Sequence, residues 1–239
     1  MKVLGIDTST PCGSVGLADD EGVLSEYLLN IPVTHSERLL SSIQFVLGEA
    51  HCTMEALDGW AISLGPGSFT GLRIGVSTVK GLAFATGKPV VGVPTLDGLA
   101  GQVSPTPYLI CPMLDARKGE VYTAFYRYEG DLVVRLSDYQ AIPPEVLIRE
   151  VAEKAIFIGD GVKTYGGYLR KTLPSFALFP AAPLHLLHGS TVAKLGLDPL
   201  RKNDHLDISR FTPIYVRPSE AEIKWQQHPP PRPPSSPAG

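Results

Sequence analysis

Residues 60–84 read WAISLGPGSFTGLRIGVSTVKGLAF. A short apolar run at 61–64 has strand character, Gly65-Pro66-Gly67-Ser68 breaks it, and a helical pattern begins near Thr70. Strand, glycine turn and helix together aim backbone N–H groups at an anion. The helix has a second peculiarity. Gly71, Gly75 and Thr78 fall on one stripe, and Leu72, Val76, Val79 and Ala83 on another. A glycine inside a helix costs roughly 1 kcal/mol against alanine. Two on one face imply that something packs very close there.

Upstream, residues 2–6 read as a buried strand, Asp7-Thr8-Ser9-Thr10-Pro11 as a turn, 13–18 as a second strand and 23–29 as a third. The chain therefore opens on an antiparallel meander. Thr34 and Glu37 have capping-box spacing at the head of a helix carrying Leu39, Leu40, Ile43, Val46 and Leu47. Downstream of the quoted stretch come a strand at 89–93 and a helix at 95–101. The pattern then restarts, with strands expected at 108–114, 120–128 and 132–136. A shift of 108 residues lays Asp7 on Asp115, Glu21 on Glu129, Gly22 on Gly130 and Leu24 on Leu132, which points to a duplicated unit. A helix at 144–154, a strand at 155–158 and helices at 162–172 and 184–197 complete the second copy.

The chain has 239 residues, 44% of them hydrophobic and 19% charged, with a net charge of −3. That length builds a substantial core. The charge gives no general basic surface, so a nucleic-acid role would be shared with a partner. Cys12, Cys52 and Cys111 are scattered and odd in number, as reduced core thiols of a cytoplasmic protein would be. No apolar run reaches the ~18 residues of a membrane span. Residues 228–239 hold six prolines in twelve positions and read as a disordered tail.

Candidate chemistry is sparse. GPGSFTG has dinucleotide-fingerprint spacing, but it follows a meander, and the first acid after the next strand is Asp97. No Gly-Lys-Ser/Thr makes it a phosphate-binding P-loop. Asp7, Thr8 and Ser9 either hold a hydrated Mg²⁺ and a phosphate tail or merely close an Asx-turn. Ser77 and Lys80 form an SxxK without its companion motifs. His185 and His188 read as a surface pair on one helix, with no third ligand at a telling spacing. No catalytic residue and no metal ligand set emerges.

GIDTST at 5–10, GPGSFTGLRIGVSTVKGLAF, DARKGEVY at 115–122 and PIYVRPSEAE at 213–222 resemble the TsaB (YeaZ) family over about residues 1–222. The GPGSFTGLRIG block is the most specific of them. The resemblance implies an α/β protein of the actin-like ATPase (ribonuclease H-like) fold, with two duplicated lobes on mixed sheets. The lobes would be 1–104 and 105–218, with 219–239 as the tail. It implies a subunit acting in threonylcarbamoyl modification of tRNA adenosine beside a TsaD-type catalytic subunit and a TsaE-type ATPase. The tRNA would be met through the complex, and a homodimer is the alternative assembly.

The paralogue's HxxxH metal histidines correspond to Thr95 and Leu99, so the expected role is non-catalytic, with no intrinsic cofactor. ATP or ADP with Mg²⁺ at the complex interface is the one cofactor the resemblance allows, near Asp7, Thr8 and Ser9. Family pairing through the first two helices, here 34–48 and 70–86, places Leu40, Ile43, Leu47, Gly71, Gly75 and Thr78 at the partner. Gly75→Leu would then block pairing and leave a folded monomer. The rival readings are an independent ATPase relying on Asp7 and a glycoprotease-like peptidase.

Overall fold

The computed structural model describes residues 1–31 and 34–217. The tail expected at 219–239 lies outside them. β1 (Val3–Asp7), β2 (Gly13–Ala18) and β3 (Val23–Leu29) form the expected antiparallel meander. α1 (His35–Glu49) starts at its capping box, where Glu37 Oε2 accepts from the Thr34 amide at 3.2 Å. β4 (Gly59–Gly65) lies parallel to β1, α2 (Phe69–Thr86) follows, and β5 (Val90–Pro94) lies parallel to β4. The first sheet has the order β3-β2-β1-β4-β5.

Alternation along these strands decides what each face holds. Leu4, Ile6, Val15 and Leu17 join Leu39, Ile43 and Val46 of α1 and Val76, Val79 and Ala83 of α2 in one core. The opposite face is nearly bald. A Cβ on Gly5 or Gly16 would overlap the backbone of the last helix, α6 (Gly189–Arg201), at Gly189, Ser190 or Ala193. That helix therefore lies directly on the sheet, and the Gly189 amide donates to Ser14 Oγ at 2.7 Å. Glu26 of β3 caps its start: Oε1 accepts from the Ser190 amide at 2.9 Å, and Oε2 meets His188 Nδ1 at 2.8 Å.

The first half ends on α3 (Thr95–Gly101), and the second half contains β6 (Leu109–Arg117), β7 (Glu120–Thr123), β8 (Tyr126–Glu129), β9 (Leu132–Arg135) and β10 (Gln140–Ile142). It continues with α4 (Pro144–Glu150), β11 (Ala155–Ile158), α5 (Gly161–Thr172) and β12 (Ala177–Leu178). Its sheet runs β10-β7-β6-β11-β12, with β8 beside β6 and β9 beside β8. The meander is repeated, as the 108-residue shift implies, but in pieces. The expected strand at 120–128 is interrupted at Ala124-Phe125, and its neighbour is divided between β9 and β10. The jog is held by the Leu136 amide on Phe125 O at 2.7 Å and the Phe125 amide on Ser137 Oγ at 3.0 Å.

Two further expectations need correction. The helix read at 144–154 stops at Glu150, because Val151 turns extended and is buried in the second lobe's core. The helix read at 184–197 is two elements: a 3₁₀ turn at Ala182–His185, and α6 beginning at Gly189. Leu186 is extended between them, and Leu187 is buried in the core. His185 and His188 therefore share no helix face. His188 pairs with Glu26, while His185 Nδ1 accepts from the Gly159 amide at 3.3 Å. The segment 105–218, read as one lobe, returns to the first sheet through α6. It then adds the Leu206 amide to Val90 O at 2.8 Å and the Ile214 amide to Leu64 O at 2.7 Å. Cys12, Cys52 and Cys111 are free and buried.

Candidate functional site

A cleft of roughly 760 Å³ opens between the lobes. The β1–β2 turn (Ser9, Thr10, Pro11) and the α2 entry (residues 66–71) form one wall. The ends of β6 and β11, with Asp115, Arg117 and Asp160, form the second, and residues 214–217 the third.

The turn into α2 is built as its sequence implies. Gly65 has φ 107°, a conformation that favours glycine. Ser68 is the N-cap, accepting from the Gly71 amide at 3.3 Å, and its own amide donates to Ser9 O at 2.6 Å.

Asp7 stands behind this wall, fully buried. Its Oδ1 accepts from Ser63 Oγ at 2.5 Å and from the Ser9 amide at 3.0 Å, the Asx-turn bond. Burial pushes its carboxyl up despite those bonds. Among the described residues, the buried Asp7 Oδ2 and Ser9 Oγ have no hydrogen-bond partner. Thr8 Oγ1 donates to Gly71 O at 2.8 Å. Of the three residues, Ser9 alone lines the cleft.

Asp160, across the cleft, accepts from the Asp115 amide at 3.0 Å. Burial, with the Asp115 charge adding to it, pushes its carboxyl up to about 6. The native protein thus keeps a proton that the unfolded chain, titrating near 3.8, has already released. Stability therefore falls as pH rises from about 4 to about 6. Asp160→Asn, whose amide oxygen can still accept from Asp115, is expected to raise stability at pH 7 by about 1–2 kcal/mol and leave it unchanged at pH 3. Urea denaturation at both pH values checks this.

The partner-facing set splits. Leu40 is 55% exposed, as expected, but Ile43 is 0% exposed and Leu47 is buried, both in the core under the first sheet. Gly71 and Gly75 face inward. A Cβ on Gly71 would overlap Thr8 O, and one on Gly75 would overlap Thr8 Oγ1. Their stripe accommodates the protein's own β1–β2 turn, which accounts for both glycines without a partner. Thr78 is half-buried at the margin.

The open face of α2 is the adjoining one: Thr70, Ser77, Gly81, Phe84 and Ala85 are exposed and Ile74 half-exposed. Phe84 is 86% exposed, and Phe45 of α1 50%. A Cβ on Gly81 or Gly48 would meet nothing within 4 Å. Phe84 was detectable in the sequence, since it falls off the Leu72/Val76/Val79/Ala83 stripe. Glycine itself carries no sign of which side is open.

Thr95 and Leu99 are both fully buried. Thr95 Oγ1 accepts from the Gly65 amide at 3.1 Å, and Leu99 belongs to the core. Among the described residues no group of three or more His, Cys, Asp or Glu is placed to hold a metal. No helix among them is long and apolar enough to cross a membrane. Asp97 accepts instead from Tyr126 Oη at 2.6 Å and Tyr139 Oη at 2.7 Å, tying α3 to the jogged strands.

Residues 31–225 match the family model described as "TsaD: tRNA N6-adenosine threonylcarbamoyltransferase". The chain is 29% identical over 228 residues to the tRNA threonylcarbamoyladenosine biosynthesis protein TsaB of Bacillus subtilis (strain 168), covering 94% of this chain and 98% of that one. It superposes on YeaZ from Pseudomonas aeruginosa with a TM-score of 0.75 at 30% identity, over 90% of this chain and 99% of that one. The (R)-2-hydroxyglutaryl-CoA dehydratase component A of Acidaminococcus fermentans superposes with a TM-score of 0.54 at 13% identity, over 82% of this chain and 97% of that one. That last likeness is of fold alone: two duplicated lobes of the actin-like ATPase type.

Proposed function

We propose that this chain, which belongs to the TsaB (YeaZ) family, is the non-catalytic partner subunit of a tRNA threonylcarbamoyltransferase. It binds and activates a TsaD-type catalytic subunit. That subunit moves a threonylcarbamoyl group from threonylcarbamoyl-AMP to the adenosine beside the anticodon of tRNAs reading codons that begin with A. A TsaE-type ATPase completes the assembly, tRNA is met through the complex, and the work is done in the cytoplasm. Without the catalytic subunit, the same face pairs two copies of this chain.

One observation carries the reading. The apolar stripes of α1 and α2 are already spent on the protein's own sheet, yet Leu40, Phe45 and Phe84 stand in solvent on the outer sides of those helices. Large apolar side chains left exposed on two neighbouring helices mark a surface suited to a protein partner. Ser77 and Gly81, small and exposed one turn apart on α2 ahead of Phe84, admit a helix to close contact. Thr95 and Leu99, where the paralogue's metal histidines would stand, are a hydrogen-bonded hydroxyl and a core leucine, which supports a partner without its own metal chemistry.

A second reading rests on the two orphaned atoms. Asp7 Oδ2 and Ser9 Oγ lie behind or at the cleft wall, and a nucleotide with Mg²⁺ at the complex interface would give them partners. The first reading is tested by mixing the chain with the TsaD-type subunit of its own organism and resolving the mixture by size exclusion. The two are expected to elute together; separate elution at micromolar concentration contradicts it.

A further inference from the structure

The third wall of the cleft is fastened unevenly. Residues 214–217 are held to the first lobe at several points. The Ile214 amide donates to Leu64 O at 2.7 Å, the Tyr215 ring lies 4.9 Å from that of Phe69, and Arg73 Nε donates to Tyr215 Oη at 3.1 Å. The Arg73 guanidinium also sits 3.9 Å from the centre of the Phe69 ring. Among the described residues, the hydrogen bonds from this segment to the second lobe come from one side chain. Arg217 Nη1 donates to Glu120 Oε2 at 2.7 Å, and Nη2 donates to Ala116 O at 3.0 Å. Both ionic partners are only about a quarter to a third exposed, so their attraction is screened less than that of a surface pair.

The other ties between the halves lie around α3 and α6. Asp97 holds Tyr126 and Tyr139. Gln102 donates from Nε2 to Leu184 O and Leu186 O at 3.0 Å each, and accepts the His188 amide at 2.6 Å. None of the α3 and Gln102 residues lines the cleft, whereas Arg217 and Ala116 do.

We propose that residues 214–217 are a latch: Arg217 clips the strap carried by the first lobe onto Glu120 of the second, and its release lets the lobes part about the α3–α6 side. The cleft then has a closed and an open state, and among the described residues the Arg217 guanidinium makes the strap's hydrogen bonds to the second lobe. A fixed cluster on one side and a single detachable clip on the other is how a hinge is built. The inference does not rest on which partner binds the α1–α2 face, because its test uses the chain alone.

The test is a pulsed electron–electron distance measurement on the full chain, with spin labels at Ser77→Cys and Thr164→Cys, two exposed positions on opposite lobes. The native cysteines are buried. The native protein is expected to give one narrow distribution. Arg217→Ala and Glu120→Gln are each expected to give a longer and broader one, and the double variant no more than the single ones. Glu120→Gln keeps the side-chain size and serves alone where Arg217→Ala does not fold. A distance distribution in Glu120→Gln that superposes on the native one overturns the latch, as does a native distribution already as broad as the variant's.

Discussion

Replacing Gly71 with leucine is expected to destabilise the protein by about 3 kcal/mol and lower its melting temperature by about 6–12 °C. The added Cβ would overlap the Thr8 carbonyl oxygen, which is backbone and cannot rotate away. The turn is held where it is on both sides. Thr8 Oγ1 donates to Gly71 O at 2.8 Å, and the Ser68 amide donates to Ser9 O at 2.6 Å. Leucine therefore forces α2 off the β1–β2 turn and breaks these bonds with it. Gly75→Leu is expected to have the same consequence through Thr8 Oγ1 and Ile62 Cδ1, and so to destabilise the monomer rather than spare it. Calorimetry on the isolated chain decides: a Gly71→Leu protein melting within about 2 °C of the native one contradicts the inward packing.

Gly81→Arg has the opposite profile. A side chain there meets open space, and exchanging a helical glycine for arginine favours the helix by somewhat under 1 kcal/mol. The monomer is expected to melt at or slightly above the native temperature. Between Ser77 and Phe84, however, the guanidinium stands where a partner helix would approach, and burying it there without a carboxylate is costly. Affinity for the TsaD-type subunit is expected to fall at least about 100-fold, that is, by about 3 kcal/mol. Titration calorimetry with native and variant chains measures it. Equal affinities would remove the α2 outer face from the interface, while a variant that failed to melt cooperatively would show that Gly81 is not open.

The contrast between these glycines marks where sequence reading runs out. Hydrophobic periodicity locates the opening meander, α1 and α2, because buried strands and amphipathic helices write their period directly into residue order, and four matched turn and core residues mark the 108-residue repeat. It did not tell inward from outward glycine, since a residue without a side chain has no polarity to reveal its side. Ile43 and Leu47 share with Leu39 and Val46 the spacing of the protein's own core stripe, which family resemblance alone does not separate from a partner-facing one. The break at Ala124-Phe125 is set by a serine hydroxyl and a backbone amide about a dozen residues away, tertiary bonds with no local signal. Glu26 as the cap of α6 is likewise legible only once β3 and α6 are placed together, 164 residues apart. Within the cleft, the Asp7-Thr8-Ser9 turn was recognisable by composition. That Asp7 is sealed behind Ser63 while Ser9 reaches the cleft follows from the pairing of β1 with β4.

The most direct test of the functional account is to deplete the chain in its own organism and measure threonylcarbamoyladenosine in total tRNA by mass spectrometry. The modification is expected to fall on depletion, to return when the native chain is supplied, and to stay low when Gly81→Arg is supplied at equal abundance. An unchanged level in depleted cells would contradict the assignment.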